Sequence, residues 1–279
     1  MLQKNIIVDI CSKQEVKMED TEDILNWYIL AGVDEICTES TKNYLAPKTS
    51  EQSSIRLSEN NQKTAVVRPA TSLLAQVSNE AYLNARDICS QAQTLDDLKA
   101  LMESFEGCSL KFSANSTVFG YGNPQAEVMI IGEAPGADED RIGEPFVGRS
   151  GHLLDKMLSA VGLRREDCYI TNVLPWRPPG NRTPTDGEVA VCLPFLKRQI
   201  ELIKPKIILL LGSSAAKAVL NTADSISQLR GRFVDYETDN GSVFPTLSSY
   251  HPAYLLRTPS QKSKVWADLL RLQRKLAEM

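Results

Sequence analysis

Apolar runs and amphipathic runs alternate along the last two thirds of the chain. Four apolar runs have the length of buried strands, at 128–131, 169–173, 207–211 and 244–247, and a weaker one lies at 233–236. Apolar residues recur at helical spacing at about 150–161, 185–203, 213–220 and 261–277. The run at 207–211 contains only Ile and Leu, which is typical of a strand covered on both faces. The pattern therefore predicts a three-layer α/β domain.

The first third of the chain has a different pattern. Residues 19–34 carry an apolar stripe with acids over the first turn, which predicts an amphipathic helix. The polar stretch that follows has no period and indicates a flexible linker. Further on, Thr94 followed by Asp97 is typical of a capping box. The chain is expected to divide into four parts: a helical N-terminal segment at 1–38, the linker at 39–70, a helical lead-in at 71–107 and the α/β domain at 108–279.

Charge is distributed unevenly along the 279 residues. The net charge of −4 argues weakly against a nucleic-acid partner. However, residues 1–107 carry 10 basic and 17 acidic residues, whereas residues 108–279 carry 21 basic and 18 acidic ones. The expected α/β domain is therefore mildly basic, and local charge decides whether a polyanion can dock.

The sequence shows no sign of secretion or of a membrane span. No run approaches the roughly 20 apolar residues that a spanning helix needs, and the N-terminal stretch lacks the apolar segment of a signal peptide. The six cysteines form neither a CxxC pair nor a dense framework. These features predict reduced thiols and a cytoplasmic location.

The stretch from Val128 to Met157 combines a strand, a glycine-rich turn and the start of a helix. Gly132–Gly136 allows a tight turn and a close approach of the backbone. Four acids lie within or just after the turn: Glu133, Asp138, Glu139 and Asp140. The turn lacks the lysine of a P-loop, and its acids would repel phosphate. It is either a plain turn or a site that activates water and stabilises a developing cation at the ligand-binding edge of the sheet.

Other loops of the same predicted edge carry an amide and a histidine. Asn172 ends a strand, and its carboxamide suits the edge of a base, unless it caps its own loop. His251 follows another strand and either donates a hydrogen bond to a developing anion or bonds to the backbone. The second histidine, His152, is expected to be structural.

Two further loops combine arginines with rigid or apolar residues. Arg177 and Arg182 lie on a proline-rich loop, which suits phosphate contacts or a plain solvated turn. Leu255 and Leu256 precede Arg257, an order typical of an apolar wedge beside a phosphate-binding cation, and equally of the start of a helix.

Together these motifs resemble the type-4 uracil-DNA glycosylases of the uracil-DNA glycosylase superfamily. The resemblance spans nearly all of residues 108–279 and rests on GEAPGADED, GEPFVGRSGHLLDKML, YITNV, RPPGNRTPT, CLPFL, IILLLG and HPAYLLR. It implies an α/β/α fold with a central four-stranded parallel sheet, here with a helical N-terminal extension. It also implies hydrolysis of the N-glycosidic bond of deoxyuridine in DNA, which leaves an abasic site for base excision repair.

The resemblance assigns roles to particular residues. Glu133 would lie against the attacking water, Phe146 would stack on the flipped uracil, and Asn172 would pair with its polar edge. His251 would stabilise the departing uracil anion. The residues expected at the uracil are Gly132, Glu133, Ala134, Phe146, Asn172 and His251. The residues expected at the DNA are Arg177, Arg182, Leu255, Leu256 and Arg257.

The chain departs from this family at its metal site. The family binds a [4Fe–4S] cluster through four cysteines, and only Cys108 and Cys192 match the second and fourth of them. Phe105 and Trp176 stand at the first and third positions. Two thiolates do not hold a four-iron cluster, so we expect no metal and an apolar plug in its volume.

Three other functions are compatible with parts of this pattern. The domain could bind uracil or DNA without cutting, act on another deaminated base such as hypoxanthine, or serve as a scaffold for the acidic N-terminal region. Uracil-containing DNA is the expected partner, with no membrane and no nucleotide cofactor. The N-terminal region could dock a repair or replication protein, and the enzyme is expected to be a monomer.

Overall fold

The computed structural model describes residues 71–279, so the helix expected at 19–34 and the linker at 39–70 lie outside the described residues. Within the described range, six strands form one sheet in the order β1-β3-β2-β4-β6-β5. The strands are β1 (Tyr121–Gly122), β2 (Val128–Gly132), β3 (Cys168–Asn172), β4 (Ile207–Leu211), β5 (Phe233–Glu237) and β6 (Val243–Ser249).

The expected central parallel sheet is confirmed. Strands β3, β2, β4 and β6 run parallel. The edge strands β1 and β5 pair antiparallel with β3 and β6. β1 was not predicted, because a strand of two residues is too short to show an alternating pattern of apolar and polar side chains. All residues of β2, β3 and β4 are buried, as helices on both faces of a sheet require.

Helices cover both faces of this sheet. They are α1 (Thr71–Gln91), α2 (Leu95–Ser104), α3 (Ala137–Ile142), α4 (Arg149–Ser159), α5 (Asp186–Ile203), α6 (Ser213–Leu220), α7 (Ile226–Leu229), α8 (Pro252–Arg257) and α9 (Lys262–Ala277). No described helix has the length and apolarity to cross a membrane. The short helices α3, α7 and α8 were missed, because four to six residues are too few for a helical period.

Alternate residues of the central strands face two separate cores. Met129 and Ile131 of β2 belong to the core that α1, α2, α5 and α6 cover. Val128 and Ile130 face the opposite core, together with Leu154 of α4 and other residues of α4 and α9. The helical lead-in expected before residue 108 therefore packs into a core of the α/β domain itself.

Reciprocal capping boxes with a threonine hydroxyl begin α2 and α5. The Thr94 hydroxyl accepts the N–H of Asp97, and the Asp97 carboxylate accepts the N–H of Thr94 at 2.9 Å, so the expected capping box starts α2. Thr185 and Glu188 make the same exchange at the start of α5. Both caps fix where these helices begin.

A buried carboxylate joins the last helix to the sheet. Asp268 on α9 is fully buried and accepts hydrogen bonds from the Ser249 hydroxyl at 2.7 Å and from the Arg230 guanidinium at 2.6 Å. Burial raises the pKa of Asp268, and the Ser249 hydrogen bond and the charge of Arg230 oppose this. Ser249 ends β6 two residues before His251, so this contact also fixes the strand end that leads to the predicted histidine.

Replacement of Asp268 should destabilise the fold strongly. Asp268→Ala leaves the partly buried Arg230 guanidinium and the buried Ser249 hydroxyl without their shared acceptor, which should lower the free energy of unfolding by about 3–5 kcal/mol. Urea denaturation followed by circular dichroism measures this change. As a control, Glu127→Ala removes one partner of the exposed Lys206–Glu127 pair and should cost at most about 1 kcal/mol. An equal, small loss in both variants would contradict the prediction.

Candidate active site

One cavity lies at the carboxyl ends of the parallel strands. Its volume is about 760 Å³. It is lined by the loops that the sequence analysis singled out, by the turn at the start of α6 and by the start of α7: Glu133, Ala134, Pro135, Gly136, Glu139, Phe146, Ser150, Asn172, Pro178, Asn181, Arg182, Gly212, Ser213, Ser214, Ile226, Ser227, Tyr250, His251, Ala253, Tyr254 and Arg257. The structure thus brings most of the expected site residues around one space.

Gly132 lies behind this cavity and leaves room for two of its side chains. It ends β2 directly opposite Asn172 in the register with β3. A Cβ at Gly132 would fall 2.4 Å from Asn172 Oδ1 and 2.6 Å from Phe146 Cζ. Glycine is therefore required here because the carboxamide and the phenyl ring occupy the space of a side chain.

Phe146 is held in an unusual backbone conformation. Its φ is 55°, in the left-handed region, and its side chain is buried. The Arg165 guanidinium donates to the carbonyl oxygens of Pro145 and Phe146. The Phe146 ring stacks on the His251 ring at a centroid distance of 5.4 Å. The surrounding contacts thus fix a conformation that a non-glycine residue rarely adopts.

His251 is neutral and has a defined tautomer. It precedes α8, and its Nδ1 accepts a hydrogen bond from the Ala253 N–H at 3.1 Å. Burial, together with the charge of Arg257, lowers the pKa of His251 to about 4, although Glu139 acts in the opposite direction. At neutral pH the imidazole therefore carries its proton on Nε2, which is available as a donor.

The four acids of the glycine-rich stretch have different environments. Glu133 lines the cavity. Both oxygens of Glu139 accept backbone N–H groups. Asp140 is buried and accepts the N–H and side-chain N–H of Asn115, while Asp138 is exposed and pairs with Arg141. The other three carboxylates are thus engaged in hydrogen bonds or an ion pair. Glu133 therefore remains the candidate for activating water.

Both arginines of the proline-rich loop are engaged in ion pairs. Arg177 donates to Asn181 at 2.7 Å and lies 3.8 Å from Asp140. Arg182 makes a two-pronged pair with Glu188 at 2.6 and 2.9 Å. The hydrogen bond from Arg182 lowers the pKa of Glu188 to about 2.

The two leucines after His251 lie in different environments. Leu255 is 1% exposed and belongs to the core between the sheet, α4 and α9. Leu256 is 39% exposed, and the exposed Arg257 lines the cavity. Contact of Leu255 with DNA would require this side chain to leave the core, so Leu256 is better placed for that contact.

The cysteine pair does not form a cluster site. Cys108 and Cys192 are buried, with their Sγ atoms 3.8 Å apart. Cys168 lies in the opposite core, and no group of three or more potential metal ligands converges anywhere within residues 71–279. A four-iron cluster needs four ligands, so these residues do not fit it.

Several residues that shape the site were not identified from the sequence. Glu139 was assigned to an acidic group, and Arg165 was not singled out at all. Gly151 was not singled out either, although a Cβ there would fall 1.7 Å from the Phe146 carbonyl oxygen. The only available signal was the density of glycines around Phe146.

The chain is similar in sequence to known uracil-DNA glycosylases. Residues 119–270 match the uracil DNA glycosylase superfamily. A type-4 uracil-DNA glycosylase of Archaeoglobus fulgidus is 43% identical over 185 residues, which is 64% of this chain and 92% of the relative. That of Thermotoga maritima is 44% identical over 56% of this chain and 79% of the relative. A type-5 uracil-DNA glycosylase of Pyrobaculum aerophilum is 32% identical over 54% of this chain and 72% of the relative.

The chain therefore belongs to the uracil-DNA glycosylase superfamily and, within it, to the type-4 family.

Addition of one methyl group at Gly132 should disable the site. In Gly132→Ala, the Asn172 amide and the Phe146 ring must both move, and displacement of about 1 Å lowers the rate of uracil release by about 100-fold. Single-turnover assays on a deoxyuridine oligonucleotide measure it. Gly162→Ala is the control. A φ of 80° strains the backbone of an alanine there, but no atom lies within 4 Å of the added Cβ. Equal rates in both variants would refute the steric argument.

Proposed function

We propose that this cavity receives a deoxyuridine flipped out of DNA and that the protein hydrolyses its N-glycosidic bond. Uracil is released, and an abasic site is left for base excision repair. The observation that carries the proposal is the convergence of Glu133, Phe146, Asn172 and His251 around one cavity. A base stacked in a duplex cannot reach such a cavity, so the nucleotide must be extruded first.

Uracil recognition uses the groups around Gly132. The Phe146 ring offers a face on which a pyrimidine stacks, and the Asn172 carboxamide offers a donor beside an acceptor for its polar edge. Asn172 is buried, and its Oδ1 lies against Gly132. A carboxamide held in one orientation distinguishes uracil from cytosine, because the amino group of cytosine reverses the donor pattern.

Bond cleavage develops positive charge on the sugar and negative charge on the uracil. Glu133 favours the cationic sugar and orients the attacking water. His251 donates its Nε2–H to O2 of the departing uracil. The Ala253 N–H holds Nδ1 as an acceptor, so the imidazole serves as a neutral, pre-oriented donor.

Residues at the rim of the cavity contact the DNA. Leu256 occupies the space from which the base was extruded, and Arg257 contacts a neighbouring phosphate. Arg177 and Arg182 each retain N–H donors beyond those used in their ion pairs, since a guanidinium has five. They contact the backbone from the proline-rich loop.

The volume of the family's metal cluster is filled by aromatic side chains. Phe105 and Trp176 are buried in the same core as Cys108 and Cys192. The Phe105 ring packs edge-on against Phe195 at a centroid distance of 5.2 Å. Trp176 Nε1 donates to Thr117 Oγ1 at 3.0 Å, so its one polar group is satisfied. The protein thus acts without the cluster.

Other expectations from the sequence stay predictions. These are a cytoplasmic location, a monomeric state, and docking of a repair or replication protein by the N-terminal region. The division of the first 107 residues into a helical segment, a linker and a lead-in also stays a prediction.

Purified protein should contain no stoichiometric iron. Among the cysteines within residues 71–279, only the thiols of Cys108 and Cys192 converge, so protein purified without oxygen should lack visible absorption and contain well under one iron atom per chain. Iron analysis and an absorption spectrum measure both. Four iron atoms per chain would overturn the proposal that the cluster has been replaced.

Excision of uracil should depend on His251 and Asn172. Either change to alanine removes one polar group that acts on the reacting base, and the rate should fall by 100-fold or more, on the order seen for lost oxyanion donors. The assay uses a labelled oligonucleotide with one deoxyuridine and scores alkali-labile cleavage. His152→Ala, which alters the exposed histidine of α4, should keep wild-type activity.

Two results would redirect this proposal. Binding of uracil-containing DNA by the wild-type protein without cleavage would indicate a non-catalytic binding module. Release of hypoxanthine or thymine in place of uracil would indicate a superfamily glycosylase for another base.

A further inference from the structure

The Glu139 carboxylate connects the two loops that carry the proposed water-side and stacking residues. Its side chain is buried on α3. Oε2 accepts the N–H of Gly136 at 3.1 Å, on the turn that carries Glu133. Oε1 accepts the N–H groups of Val147 at 3.0 Å and Gly148 at 2.9 Å, directly after Phe146. One charged group therefore satisfies three backbone donors on two loops.

Gly136 has its explanation in this carboxylate. A Cβ at Gly136 would lie 2.7 Å from Glu139 Oε2. Its φ is −89°, which any residue can adopt. Glycine is therefore needed at this position for space beside the carboxylate and not for backbone conformation. At Gly148 a Cβ would meet Asp138 Oδ2 at 3.1 Å and Glu139 Oε1 at 3.3 Å, which is tight but not forbidding.

We infer that Glu139 is a positioning residue that fixes the loop of Glu133 relative to the loop of Phe146. The inference rests on the proposed roles of those two residues. Glu139 lines the cavity but is a poor candidate for the general base, because both of its oxygens already accept backbone hydrogen bonds. Its contacts at Val147 and Gly148 also help to hold Phe146 in its left-handed conformation.

The arrangement requires a carboxylate and not merely a polar side chain. Hydrogen bonds to an ionised acceptor are stronger than those between neutral groups. Glutamine has the same shape but only one acceptor oxygen, and its amide N–H₂ would face a backbone N–H. Glutamine can therefore retain the contacts on one loop and must lose those on the other.

The test uses Glu139→Gln and Glu139→Ala, with Glu144→Gln as the matched control. Glu144 is exposed on the loop of Phe146 and makes no hydrogen bond to the backbone of either loop, so the control makes the same chemical change without touching the connection. Two quantities are measured: the single-turnover rate of uracil release at saturating enzyme, and the inhibition constant of free uracil. Neither depends on the folded fraction of the preparation, so a simple loss of stability moves neither.

Loss of the connection should affect both quantities. We expect the rate to fall about 10-fold in Glu139→Gln and about 100-fold in Glu139→Ala, the scale of displacements of about 1 Å. The inhibition constant of uracil should rise in the same order, while Glu144→Gln stays within twofold of wild type. If the Glu139 variants fail to fold, Gly136→Ala displaces Oε2 while the charge is kept, and it should raise the inhibition constant.

Two other outcomes have distinct meanings. Wild-type values for both quantities in Glu139→Gln, or a lowered rate with an unchanged inhibition constant, would overturn the positioning role. Failure of the proposed function itself would appear differently, as a wild-type protein that releases no uracil.

Discussion

The pairing of β2 with β3 is the constraint on which the site depends. Their parallel register sets Gly132 opposite Asn172. Because Gly132 has no side chain, the Asn172 amide and the Phe146 ring can share one small volume. A shift of one residue in this register would turn the amide to the other face of the sheet. The position of the amide proposed to recognise the base thus follows from strand pairing.

The loops above this pair are rigid because charged groups bind their backbone. Glu139 accepts three backbone N–H groups, and Arg165 donates to two backbone carbonyl groups beside Phe146. Catalysis by pre-oriented groups requires such rigidity, because displaced donors and stacking surfaces lose most of their effect. Glu139 and Arg165 therefore hold other groups in place, whereas Glu133 is the acid that the proposed mechanism assigns to the attacking water.

The sequence predicted the elements that have a strong period or a strong motif. The parallel strands, the long helices and the capping box at Thr94 were all recognisable, and the resemblance identified the family. The sequence did not reveal which acid faces the cavity and which binds the backbone, because the partners of Glu139 are backbone groups on other turns of the chain. The burial of Leu255 beside the exposed Leu256 was also hidden, since it depends on which face of the short helix α8 meets the core.

The burial of Phe105 and Trp176 at two positions of the family's cluster cysteines bears on how the protein matures in the cell. In this structure the lead-in helices pack on the domain through apolar side chains, such as Phe105 against Phe195, and through the Arg198 guanidinium, which donates to the Ala92 carbonyl oxygen. If aromatic side chains replace the cluster, as proposed, the enzyme matures without iron delivery or cluster assembly. Its abundance is then independent of iron starvation and of oxidants that dismantle iron–sulfur centres.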